Sequence, residues 1–244
     1  MNLIRSLLHG VWMAVTVVPW ALFVIAVSYL VSSTTLYWLC VGWLRTAVRG
    51  GTWILGIRNR VQGLENLPQG ATDPAVLLVK HQSTWETFVM PTIMPHPLAY
   101  VFKKELLHIP FFGWAIGRLD MIHIDRSQRA KAFAKVVEQG RALLAQGVWV
   151  IMFPEGTRIP RGQVGEYKTG GARLAIAAGV PVIPIAVTSG QRAPQFPNLE
   201  AVAETYPGFE AIAFLSFIGY CYMLAQIRAQ QTSRRYARPY YRAA

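Results

Sequence analysis

The longest apolar stretch lies near the start of the chain: across residues 11–44 no side chain is charged. That length exceeds the ~20 residues of one membrane-spanning helix and falls slightly short of two. Pro19, and the polar cluster Ser32, Ser33, Thr34 and Thr35, stand where they would kink or divide the run. One tilted span, a helical hairpin dipping into one leaflet and two short spans all fit the pattern. A cleaved signal peptide fits less well, because the run is too long and no small-residue cleavage motif ends it.

After residue 60 the pattern changes to short apolar runs separated by helical periods. AVLLVK (75–80), LAYVF (98–102), MIHI (121–124), VWVIMF (148–153) and VPVIPIAV (180–187) read as strands buried on both faces. One helix is expected from a cap at Ser127 to about Gln146, with Gly147 as its stop. Another is expected over about 170–178, stopped by Gly179. Strands separated by helices predict an α/β fold, with a mostly parallel sheet flanked by helices and an N-terminal apolar helical membrane segment or hairpin. The expected divisions are a membrane-associated segment over 1–49, a catalytic domain over 50–190 and an atypical C-terminal segment over 191–244. In the last of these, residues 211–227 are uncharged and mostly apolar, and Arg228, Arg234, Arg235, Arg238 and Arg242 follow. A short span and a membrane-surface helix with a basic tail fit equally well.

Composition strengthens the membrane reading. Hydrophobic residues make up 53% and charged residues 15%, against about 45–50% and about 25% in soluble domains. The formal net charge is +12, which points to an anionic partner. Zinc-finger spacing, RNP-like segments and basic regions joined to heptads are lacking, so no nucleic-acid partner is expected. Anionic membrane lipids explain the charge better. Arg45, Arg49, Arg58 and Arg60 follow the apolar run, whereas only Arg5 and the amino terminus precede it. By the positive-inside tendency the downstream domain faces the cytoplasm, as at a bacterial-type inner membrane. Cys40 and Cys221 form no CxxC pair, and neither a metal nor another cofactor is expected.

The densest chemistry follows the first expected strand, in Lys80, His81, Gln82, Ser83, Thr84, Trp85 and Glu86. Functional groups in α/β sheets gather beyond the carboxyl ends of strands. On one continuous helix, residues five apart point about 140° away from each other. His81 and Glu86 therefore meet only if His81 precedes a helix that carries Glu86 on its first turns. So placed, an imidazole accepts a proton from an alcohol, and a carboxylate on its other nitrogen fixes the tautomer and steadies the imidazolium. One such pair alone is a weak signal.

FPEGTR, with Glu155, Gly156, Thr157 and Arg158, follows the fourth strand. Arg158 offers a planar donor fork suited to phosphate oxygens, although a turn with a surface ion pair is the plainer reading. Lys103 and Lys104 end the second strand; they are either a solvated edge or a phosphate clamp. Asp125-Arg126 after the third strand is a further anion contact or a surface pair. Lys168, ahead of the last helix, is an additional candidate. GxSxG and HExxH are lacking, so a serine hydrolase or zincin is unsupported.

Taken in order, these blocks closely resemble the lysophosphatidate (1-acylglycerol-3-phosphate) acyltransferase family of glycerolipid acyltransferases. HQSTWE resembles the family's HxxxxD block, FKKELLHIPFFGW its second, FPEGTR its third and VPVIPI its fourth. The resemblance covers roughly residues 50–190. It implies an O-acyltransferase with His81 as general base and Glu86 as its partner. Lys103, Lys104, Arg126, Glu155, Gly156, Thr157 and Arg158 would bind or position the phosphorylated acceptor. The acyl donor would be acyl-ACP or acyl-CoA, the acceptor the free sn-2 hydroxyl of lysophosphatidic acid, and the product phosphatidic acid for phospholipid biosynthesis. Two departures stand out: Glu86 where the family usually has Asp, and the chain after residue 190. The same chemistry on another lysolipid, or a non-catalytic basic membrane-binding protein, are the competing readings.

Overall fold

The chain is described from a computed structural model covering residues 2–70, 72–125, 129–159, 163 and 165–187. The expected cap at Ser127, the anion contact at Arg126, Cys221 and the whole segment after residue 190 lie outside the described residues.

The N-terminal apolar run folds as two helices, α1 (Asn2–Val27) and α2 (Ser33–Gly50), a division that the hairpin and the two short spans share and a single continuous span does not. The break falls at the polar cluster, where the Ser32 hydroxyl accepts from Thr35 N at 3.3 Å and caps α2. Pro19 lies inside α1 without ending it. Two indole N–H groups tie the helices together: Trp20 Nε1 donates to Leu39 O at 3.0 Å and Trp43 Nε1 to Thr16 Oγ1 at 3.2 Å. Met13, Ala21 and Val24 face inward and are buried, whereas Leu7, Leu8, Val11, Val15, Leu22 and Phe23 are exposed. Over Ile4–Val27 α1 is long and apolar enough to cross a membrane. A π-helical turn, Gly51–Leu55, continues α2 and ends at Gly56 in the left-handed region.

Among the described residues five strands follow, β1 (Val76–Val79), β2 (Leu98–Lys103), β3 (Ile122–Ile124), β4 (Trp149–Met152) and β5 (Val182–Ile185), with helices α3 (Trp85–Ile93), α4 (Phe112–Ile116), α5 (Arg129–Leu144) and α6 (Gly170–Ala178). The strand order is β3-β2-β4-β1-β5 and every pairing is parallel. Val76 pairs with Val150 on one side and Val182 on the other, while Leu98 pairs with Trp149.

The central strands are covered on both faces, which is why they read as unbroken apolar runs; β5, at the sheet edge, departs from the expected double burial, with Val182 and Pro184 exposed and Ile183 and Ile185 half-buried. Leu77, Val79, Leu98, Trp149 and Ile151 pack against Tyr37 and Val41 of α2 and Met90 of α3. Val76, Ala99, Ile122 and Val150 pack against Val136 and Leu144 of α5 and Leu174 and Ala175 of α6. The hairpin thus belongs to the layer covering one face of the sheet. Phe111 just before α4 has φ 61° and ψ −63°, with Phe112 N donating to Pro110 O at 2.7 Å. This is a γ-turn of a kind rare outside glycine.

Candidate active site

All strands run the same way, so their carboxyl ends form one edge. Lys80 and His81 follow β1, Lys103 ends β2, Asp125 follows β3 and the FPEGTR segment follows β4. Because β4 lies between β1 and β2, FPEGTR sits between the His81 loop and the lysine pair.

His81 lies before α3 and Glu86 is the second residue of that helix, the arrangement their spacing required. His81 Nδ1 is 3.7 Å from Glu86 Oε2, within ion-pair reach but longer than a hydrogen bond. Catalytic contacts are often this loose before substrate binds. Both Glu86 oxygens also accept from Ser83 N, each at 3.0 Å, and Ser83 Oγ accepts from Trp85 N at 3.0 Å. Glu86 thus reaches back from the first turn of α3 to the N–H of Ser83, and its acidic side chain sits at the positive end of the helix. The extra methylene of glutamate is taken up in reaching back to Ser83 N while the carboxylate still faces the imidazole. Glu86 is buried, and His81 retains 16% side-chain exposure. The capping use of the Ser83 and Trp85 amides removes both as donors to a developing oxyanion.

Glu155 points inward. Its side chain is fully buried, with Oε1 accepting from Lys80 Nζ and Oε2 from His81 N, both at 2.7 Å. Hydrogen bonding to Glu155 holds the Lys80 pKa above the ordinary lysine value, against a smaller opposing effect of burial. Ile159 N donates to His81 O at 2.9 Å, and the Phe153 ring stacks on the imidazole with centroids 4.0 Å apart. Gly156 turns the chain at φ 66°, and a Cβ there would stand 2.8 Å from Lys168 Nζ. Lys168 is anchored through its own N–H to Pro154 O at 2.8 Å. Arg158 Nη1 donates to Thr84 Oγ1 at 3.3 Å, so the third motif also touches the first through a side chain.

On the other side of β4, exposed Lys104 pairs with Asp125 at 2.8 Å, which raises its pKa above the ordinary value, and Lys103 is exposed beside it. Among the described residues no group of His, Cys, Asp and Glu has the makings of a metal site. An apolar cavity of about 200 Å³ lies beside the contact between the hairpin and the domain, lined by Trp20, Cys40, Trp43, Phe88, Tyr100 and Phe102, among others. Thr87, adjacent to Glu86, also lines it. Tyr100 OH donates to Thr87 O at 3.2 Å, and burial drives its pKa well above that of free tyrosine.

A model of the family described as Acyltransferase matches residues 58–188, more than half of the chain and all of this edge. The chain belongs to the acyltransferase family. A 1-acyl-sn-glycerol-3-phosphate acyltransferase of Pseudomonas aeruginosa is 50% identical to this acyltransferase over 153 residues, covering 63% of this chain and 58% of that one. A human protein named 1-acyl-sn-glycerol-3-phosphate acyltransferase alpha is 34% identical over 139 residues, covering 57% and 48%. The acyltransferase chain thus spans about half to three-fifths of the length of these curated relatives. The crystal structure of a 1-acyl-sn-glycerophosphate (LPA) acyltransferase from Thermotoga maritima is similar at a TM-score of 0.57 and 27% identity, covering 75% of each chain.

The structure gathers His81, Glu86, Glu155, Gly156, Thr157 and Arg158 around one loop and sets Lys103, Lys104 and Lys168 on the same edge of the acyltransferase sheet. Two contributors escaped the reading of the sequence. The capping role of Glu86 was signalled by S-x-x-E. The Lys80 contact with Glu155 joins residues 75 apart and carries no local signal.

Proposed function

We propose that this acyltransferase moves a fatty acyl group from acyl-ACP or acyl-CoA to the sn-2 hydroxyl of lysophosphatidate, giving phosphatidate. One observation carries the reading: the imidazole of His81 faces a buried carboxylate through Nδ1, on a strand-end edge that also bears Lys103, Lys104 and Arg158. The names of the relatives agree with it.

Nε2 of His81 takes the proton of the acceptor hydroxyl as its oxygen attacks the thioester carbonyl. Glu86 steadies the imidazolium, and a positioned base of this kind contributes about 10²–10⁴-fold. Collapse of the tetrahedral intermediate breaks the C–S bond, and the departing thiolate recovers the proton from His81. Acyl transfer is direct, within a ternary complex of enzyme, donor and acceptor, and no cofactor enters. The basic side chains hold the acceptor phosphate, and the cavity beside Thr87 and Tyr100 offers an apolar place for a hydrocarbon chain.

The hairpin suits a lipid surface rather than a crossing. Both its ends are fastened to the catalytic domain: Arg118 Nε donates to Ser28 Oγ at 2.8 Å and lies over the Tyr29 ring, while Gly51 packs on Trp85. With the two ends held on one body, the exposed face of α1 enters one leaflet of the membrane, on its cytoplasmic side.

The test is acyl transfer by purified protein with both donors and a panel of lysophosphatidate, lysophosphatidylcholine and a lyso-aminolipid. Phosphatidate from lysophosphatidate, lost in His81→Ala, is the expected result. A full rate in His81→Ala, or product from the other acceptors only, would sink the reading.

A further inference from the structure

We propose that Lys80 is a positioning residue for acyl transfer: its ammonium keeps the buried Glu155 carboxylate ionised, and that carboxylate fixes the backbone of His81. The inference rests on the acyl-transfer reading above and adds a residue to its machinery.

The geometry assigns each Glu155 oxygen one partner, Lys80 Nζ on Oε1 and His81 N on Oε2, at 2.7 Å each. The Glu155 side chain has no solvent exposure, whereas that of Lys80 retains 20%. An ionised carboxylate so deeply buried is costly without a counter-charge, and it neutralises when the counter-charge is withdrawn. Gly165 closes over it, since a Cβ there would lie 3.2 Å from Glu155 Cγ. Among the described residues, other charged or titratable groups lie around it. From the FPEGTR side, Lys168 reaches toward Gly156 and Arg158 toward Thr84. Tyr167 adds to the field at Lys80. Glu86, on α3, faces the imidazole and Ser83 N.

This arrangement divides the labour within FPEGTR. Among the described residues both Glu155 oxygens bond to the β1 end, and a carboxylate would repel a phosphate, so Glu155 serves the base rather than the acceptor. With Ile159 N on His81 O, the segment grips His81 at its N–H and its carbonyl. Only the side chain is left to respond to Glu86 and the acceptor. Without the Lys80 ammonium the buried carboxylate has lost its counter-charge, and the cost of burying a charge favours the neutral form. A neutral carboxyl accepts more weakly from His81 N, and the rate should therefore fail on the acid side earlier than in the wild type.

The experiment compares full-length wild type, Lys80→Met, Lys80→Arg and Glu155→Gln in phosphatidate formation from pH 5 to 9. It also reads the buried carboxyl by infrared difference spectroscopy between Lys80→Met and Lys80→Met/Glu155→Gln. Lys80→Met should lower kcat about 10–100-fold, the worth of a charge-assisted hydrogen bond, with KM for lysophosphatidate within twofold. Its acid limb should move up by about one pH unit or more. Lys80→Arg should restore both, and Glu155→Gln should lower kcat without moving the limb. A protonated carboxyl band should appear at neutral pH in Lys80→Met and vanish in the double variant. If Lys80→Met does not fold, Lys80→Gln, which keeps an N–H donor without the charge, should show the same displaced limb. An unchanged pH profile, or a raised KM at constant kcat, would overturn the proposal. A wild type that makes no phosphatidate overturns the acceptor reading instead, and the infrared band still reads the clamp.

Discussion

Under the proposed mechanism, Glu86→Gln isolates the charge on the partner of the base. In the resting site the carboxylate is 3.7 Å from Nδ1, and its charge matters most once His81 has taken the proton. At an effective dielectric of about 20, unit charges about 4 Å apart interact by about 4 kcal/mol. The amide keeps the shape and part of the dipole, so a loss of roughly 2–3 kcal/mol is the working figure. At 1.36 kcal/mol per decade this is roughly a 30- to 150-fold fall in kcat. KM for the acceptor should stay within threefold, because Glu86 is buried behind His81. The same side chain caps α3 through Ser83 N, and weakening that cap costs about 0.5–2 kcal/mol of stability. The assay is therefore kcat at saturating lysophosphatidate beside a thermal melt of the same preparation. Glu86→Asp makes a useful companion. It keeps the charge but is too short to serve Ser83 N and His81 together, so it should lose less rate than Gln while melting lower. A kcat for Glu86→Gln within threefold of wild type would refute the pairing. So would a loss of rate at assay temperature that only follows a collapse in melting temperature, which would leave Glu86 as a cap alone.

Arg158→Ala should raise KM for lysophosphatidate about 10–100-fold, the range of one charge-assisted hydrogen bond, with kcat within threefold; steady-state kinetics decide, and a kcat effect at constant KM would place Arg158 elsewhere. Gly51→Ala drives a methyl into the Trp85 ring, and overpacking of this kind costs about 1–3 kcal/mol. Thermal melts should show the loss, and a wild-type melting temperature would mean the joint is looser than it looks. Val11→Asp with Val15→Asp alters α1 positions that are 61% and 66% exposed. Folding should be untouched while partition to anionic vesicles in flotation falls about tenfold per site, the worth of one buried valine; undiminished binding would remove this face from the membrane.

What was legible in the sequence had local causes. Strands covered on both faces carry no polar alternation, so the runs 75–80, 98–102, 121–124 and 148–153 fall within two residues of the observed strand ends, β2 overrunning its run by Lys103; 180–187 contains β5, although one face of that strand is exposed. Gly147 and Gly179 marked helix ends because both adopt positive φ, 77° and 67°. The meeting of His81 and Glu86 followed from helical geometry. Three features had no such local cause. Insertion of β4 between β1 and β2 is a property of sheet order, and it is what brings FPEGTR against His81. The Glu155 grip on Lys80 and His81 depends on that insertion, so FPEGTR alone suggested a surface turn. The γ-turn at Phe111 uses a residue that gives no sign of positive φ.

The joint between the hairpin and the domain bears on why an apolar N-terminus accompanies this site. At the end of α2 two consecutive glycines receive two indoles: Gly50 meets Trp12 of α1, and Gly51 meets Trp85 of the HQSTWE loop, leaving no room for a Cβ at either. Trp85 Nε1 donates to Asn59 Oδ1 at 2.8 Å, and Trp43 packs on Phe88 with ring centroids 5.9 Å apart. Both domain partners, Trp85 and Phe88, lie within two residues of Glu86. A displacement of the hairpin is therefore felt first at the helix that carries Glu86. Under the proposed reading the acceptor arrives from lipid, so a site rigidly tied to the lipid-facing helices holds His81 at a constant distance from the surface where the hydroxyl is presented. A flexible tether would leave that distance to chance, and the rate with it. Packing by rigid aromatic rings into backbone notches, rather than by long flexible side chains, is how this chain meets that requirement.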